Sequence, residues 1–131
     1  MYEVLLAVDS DEERAHSQAE AVADLPEAPS AVRVTIFHVF SDNPEGASVS
    51  QVATVREVKD VLEEAGIETD MAESSGDAAT EIIDQATEMD ADCICVSGRK
   101  RSPAGKALFG SVAQGVILDA ERPVLVAPPT E

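Results

Sequence analysis

Tryptophan is absent from this 131-residue chain, tyrosine occurs once and phenylalanine three times. A core without large rings has to be filled by Val, Ile, Leu and Ala, and a hydrophobic content of 44% supplies enough of them for a globular fold. Cysteine occurs only as Cys93 and Cys95. On a strand both would face one side, and a C-x-C pair alone offers too few ligands for structural zinc, so the pair reads as two buried, reduced thiols. No apolar run approaches the roughly 18 residues that a membrane-spanning helix needs. The start, "MYEVLLAVDSDEE", lacks the cationic region and small-residue cleavage site of a secretory signal, and the expectation is a cytoplasmic protein.

Cations are scarce as well. Nine Lys and Arg stand against 26 Asp and Glu, giving a net charge of −17. Such a surface repels duplex DNA and anionic lipid, because both need cationic groups to displace counterions. Neither a nucleic-acid nor a membrane partner is expected. An acid excess of this size also fits a halophilic protein, since screening over roughly 3 Å at 1 M salt removes the self-repulsion.

What the chain does have is an alternation of short apolar runs with helical periodicity. "VLLAV" (4–8) reads as a strand covered on both faces. Ser10-x-x-Glu13 has the pattern of a capping box, followed by Ala15, Ala19, Val22 and Ala23 on one helical face, with Pro26 and Pro29 closing that helix. "AVRVTIFHVF" (31–40) is a second strand, 41–48 a loop, and 49–65 a helix ended by Gly66. "IETDMAE" (67–73) is a third strand, and Ala79, Ile82, Ile83 and Ala86 mark the next helix. "DCICVS" (92–97) and "PVLVA" (123–127) are the last strands, with a helix through Val112, Val116 and Ile117 between them. The fold class is therefore α/β: one doubly wound domain over 1–131, with a five-stranded parallel sheet and helices on both faces.

Ligands of such sheets sit beyond the C-terminal strand ends, where strand order reverses. Asp9 follows the first strand and Gly98 the fourth. From 93 to 118 there is no acid, yet Arg99, Lys100, Arg101 and Lys106 fall within it, punctuated by Gly98, Gly105 and Gly110. Gly110-Ser111 leads into the last helix, whose free N–H groups carry the positive end of the helix dipole. These are the ingredients of a polyphosphate cradle; a basic Gly-rich loop that contacts a partner or a second subunit has the same composition. "AGKALFGS" is not a P-loop, because Ala107 stands where the metal-binding hydroxyl is required. Asp9 could accept ribose hydroxyls or simply favour the first helix's dipole. His38, on an apolar strand, reads as a satisfied core histidine and His16 as a solvated one. A phosphoryl-receiver domain is disfavoured, since the fifth strand ends in Ala127-Pro128 without a Lys.

Asp9 in "VLLAVDS", His38-Val39 closing the second strand, and Gly98 with Gly110-Ser111 after the fourth follow one another in an order that resembles the universal stress protein family. "GSVAQGVILDAERPVLVAP" is similar to that family's C-terminal signature. The resemblance covers nearly the whole chain and implies sheet order 3-2-1-4-5 and a homodimer paired through the last strand, 123–127. It also implies ATP, with Mg²⁺, as ligand. Asp9 would hold the ribose beside Ala7 and Ser10, and backbone at Val39 would meet adenine. Gly98 would turn under the phosphates, and Gly110, Ser111 and Val112 would donate to them. Arg99 would add charge. The family's second glycine falls on Arg101 and the loop is one residue short, reading G-x2-R-x8-G-S. Arg101 is thus either a phosphate clamp or a plug, with Gly105 offering flexibility elsewhere in the loop. No general base is placed for hydrolysis, so the expectation is a binding protein and not an enzyme. The alternative is a nucleotide-independent dimeric adaptor whose 98–111 loop contacts an unknown protein partner.

Overall fold

The computed structural model describes residues 1–40, 46–98, 100–101 and 107–128, with 100, 101, 107 and 108 described by backbone alone. Five strands form one parallel sheet: β1 (Tyr2–Ala7), β2 (Val32–Phe40), β3 (Glu68–Ser75), β4 (Cys93–Ser97) and, skipping two short elements, β7 (Val124–Ala127). Their order is β3-β2-β1-β4-β7, which is the expected 3-2-1-4-5. The intervening β5 (Lys100–Arg101) and β6 (Ala107–Leu108) pair antiparallel as a separate ribbon that the sequence reading did not foresee.

Strand alternation sorts the core into two layers. Val4, Leu6 and Val8 pack with helices α1 (Glu12–Ala23) and α3 (Ala53–Glu64) on one face. Leu5 and Phe37 pack with α4 (Ala78–Glu88) and α5 (Ser111–Asp119) on the other. An uninterrupted apolar run suits β1 because both its faces are covered. Register places Val4 opposite Cys93 and Leu6 opposite Cys95, so both thiols join the α1/α3 layer and are buried.

Three of the helix boundaries that differ from expectation do so for local reasons. The cap of α1 is Asp11, not Ser10: its carboxylate accepts the Arg14 N–H at 2.9 Å. The helix starts a residue late because Asp9 Oδ1 accepts the Asp11 N–H at 2.8 Å, drawing 9–11 into a turn first. Pro29 does not terminate α1. The helix ends at Ala23, and Pro29 lies at the start of the short α2 (Ala28–Ala31), where its missing N–H costs nothing. The helix expected over 49–65 is a 3₁₀ turn (Val49–Gln51) and α3, separated by Val52 in an extended conformation. Its end follows expectation: Gly66 has φ 81, Ile67 N–H reaches Leu62 C=O at 2.9 Å, and Gly66 N–H reaches Glu63 C=O at 2.9 Å.

Candidate functional site

In this topology β1 is followed by a crossover on the α1 side, whereas the connection from β3 to β4 crosses by α4 on the opposite face. The two crossovers diverge and leave a cleft at the C-terminal strand ends. Its volume is about 480 Å³. The rim brings together Ala7, Val8, Asp9 and Ser10 after β1, Phe37 to Phe40 at the end of β2, Ser97 at the end of β4, and Gly110 to Ala113 at the start of α5.

Seven of the residues singled out from sequence therefore share one cleft: Ala7, Asp9, Ser10, Val39, Gly110, Ser111 and Val112. Gly98 does not line it. That residue is buried at the end of β4, with its N–H bonded to Ala127 C=O at 3.0 Å, where it ties β4 to the edge strand. Arg99 and Gly105 lie outside the described residues. Arg101 is placed by its backbone in β5, and its side chain lies outside them too.

The start of α5 is open. Gly110 is its N-cap, has no side chain to cap with, and accepts Gln114 N–H through its own carbonyl at 3.1 Å. No described residue caps the first-turn amides from its side chain, and the dipole favours an anion there. Gly110 has φ −74 and ψ 168, ordinary extended backbone.

Asp9 is held from three sides. Thr54 Oγ1, buried on α3, donates to the Asp9 carbonyl at 2.5 Å. Asp11 N–H binds Oδ1, while Arg14 binds Oδ2 through Nε at 3.0 Å and a terminal nitrogen at 2.8 Å. Arg14 lines the cleft and was missed from sequence, since five residues separate it from Asp9 and no helical spacing rule pairs them. Asp9 and Arg14 are the charged side chains of the described lining, so among the described residues that lining is neutral in a chain of net charge −17.

His38 lies on the cleft wall and not in the core, although its hydrogen bond is satisfied as expected. Nδ1 lies 2.9 Å from Val8 C=O. A carbonyl only accepts, so Nδ1 carries the proton. Its ring meets Phe40 edge-on at 4.7 Å, giving the cleft an aromatic wall suited to a flat base. Gln18 was also missed: it is buried, and its Nε2 donates to Ala7 C=O at 2.7 Å and Cys95 C=O at 3.3 Å, bracing β1 and β4 beneath the cleft.

Comparison with known proteins agrees with this fold. The model of the universal stress protein family matches residues 1–128. A universal stress protein of Mycolicibacterium smegmatis is 32% identical over 84 residues, or 63% of this chain, and the match spans 65% of that relative's length. The structure of a universal stress protein from Archaeoglobus fulgidus superposes with a TM-score of 0.79 at 29% identity, covering 97% of this chain and 98% of that one. A second structure from Archaeoglobus fulgidus, in complex with dAMP, gives a TM-score of 0.71 at 24% identity over 97% of this chain and 98% of that one. The chain belongs to the universal stress protein family.

Proposed function

We propose that this chain is a dimeric regulatory protein that binds ATP in the cleft and acts through the bound state, not through turnover. The observation that carries the reading is the convergence in one hollow of the Asp9 carboxylate, the β2 end at Val39 and the uncapped start of α5 at Gly110, Ser111 and Val112. A carboxylate suits ribose hydroxyls, the aromatic wall suits a base, and first-turn amides suit phosphate. The dAMP bound by the Archaeoglobus fulgidus protein supports an adenine nucleotide as the ligand class. A volume of about 480 Å³ falls in the range of small-molecule sites.

Among the described residues, no group of three or more His, Cys, Asp or Glu is placed to hold a metal ion. Mg²⁺ would therefore arrive on the phosphates and keep most of its water.

Pairing of two copies through β7 fits the sheet edges. Val124, Leu125 and Val126 are half-buried at one edge, whereas the opposite edge, β3, carries Glu68, Asp70 and Glu73 and would repel a like strand. Among the described residues no helix is long and apolar enough to cross a membrane, and a cytoplasmic, salt-adapted protein is the reading we favour. A nucleotide-independent adaptor is favoured by one observation, the 80% exposure of Leu118 on α5.

Equilibrium dialysis with ATP and Mg²⁺ in concentrated KCl separates the two. The ATP reading expects micromolar retention, lost in Asp9→Ala and in Gly110→Val, with sedimentation at twice the 13.8 kDa chain mass. No retention at millimolar ATP leaves the adaptor.

A further inference from the structure

The state of Asp9 constrains how a ribose can be read. An ionised carboxylate offers about four acceptor positions, two on each oxygen. Oδ2 already takes two N–H groups of Arg14, at 3.0 and 2.8 Å, and Oδ1 takes the Asp11 N–H at 2.8 Å. One position, on Oδ1, is left. A carboxylate that grips a ribose by both the 2′- and 3′-hydroxyls needs two.

Displacing Arg14 to free the others is unfavourable. Its side chain is only 19% exposed, its remaining ion pair is with Asp11 at 3.5 Å, and release would leave a mostly buried cationic side chain without its nearer carboxylate. Swinging the Asp9 carboxylate instead would break its Oδ1 bond to the Asp11 N–H.

We infer that Arg14 is a specificity-determining residue: by saturating Asp9 it makes the cleft read a single ribose hydroxyl, so that it accepts adenine nucleotides whose sugar lacks the other one. The inference rests on the adenine-nucleotide reading above. Discrimination between sugars requires a site whose polar groups are left unpaired by the wrong ligand, and here three of the acceptor positions are paired before any ligand arrives.

The test compares ATP, 2′-deoxy-ATP and 3′-deoxy-ATP by calorimetry in concentrated KCl. At least one deoxy analogue binds wild-type protein within about fivefold of ATP. Both falling weaker than that overturns the inference while leaving the nucleotide reading intact. No binding by any of the three removes both. In Arg14→Ala the two freed positions on Oδ2 let Asp9 grip both hydroxyls, and each analogue drops below ATP by more than about fivefold. An Arg14→Ala protein that binds but stays as indifferent as wild type also overturns it. Should that variant fail to fold by circular dichroism or to bind ATP, the wild-type ratios decide alone.

Discussion

The two thiols illustrate how environment, not residue type, sets chemistry. Burial pushes the Cys95 thiol far above its ordinary value of 9.0, with the neighbouring Cys93 adding to the effect. Burial also raises Cys93, although a Leu125 backbone hydrogen bond and Tyr2 offset part of it. Thiolate is the reactive form, so native protein should resist iodoacetamide at pH 8 at both positions and react at both once unfolded. Modification of folded protein at the unfolded rate would show that the β4 face is open. The same shift has a pH consequence. A raised folded value means the stabilisation is complete below the unfolded value near 9.0 and is lost as pH climbs past it, because only the unfolded thiol ionises. The urea midpoint should therefore decline above about pH 9, and decline less steeply in Cys95→Ala.

At the scale of elements, what was legible followed periodicity, and what was not followed from pairings across the chain. The uninterrupted apolar run of β1 and the Gly66 stop could be read because each depends on residues only a few positions apart. Gln18 could not: a polar residue on the buried face of α1 makes sense only once the Ala7 and Cys95 carbonyls lie side by side. Arg14 is the same case, since its partner belongs to a turn that displaced the expected cap. Gly98 follows the fourth strand as expected, but it is buried there and does not line the cleft. Gly115, inside α5, was not singled out, although a helix-interior Gly costs about 1 kcal/mol relative to Ala. Its reason is close approach, because a Cβ there would lie 3.0 Å from the Ala79 Cβ on α4. Ala79 is fixed to a helix backbone and has no flexible end to move. Gly115→Ala should change stability little, with propensity offsetting contact, whereas Gly115→Val should cost about 1–3 kcal/mol in urea unfolding. Because α5 also supplies Gly110 and Ser111 to the cleft, Gly115→Val should weaken ATP retention without touching the site. Wild-type stability in that variant would refute the close approach.

For the molecule as a whole the governing quantity is the net charge of −17. The ion pairs that relieve it outside the cleft each have at least one well-exposed partner: Arg33 with Glu68 and Asp70, Lys59 with Glu63, and Arg122 with Asp90. Pairs of this kind contribute between zero and about 1 kcal/mol each, and salt weakens them. Repulsion among the unpaired carboxylates is also screened, with the opposite sign for stability. The two effects can be told apart by direction. If ion pairs dominate, added KCl lowers the melting temperature; if self-repulsion dominates, KCl raises it. With 26 acids against nine cations most carboxylates have no cation to pair with, so repulsion should dominate. The largest rise should fall between about 0.1 and 1 M KCl, where the screening length shrinks from about 10 Å to about 3 Å. Sucrose at matched water activity, which does not screen, should reproduce little of that rise. A melting temperature that is flat or falling across this range would mean that the acid excess carries solubility alone, and the salt-adapted reading would be withdrawn.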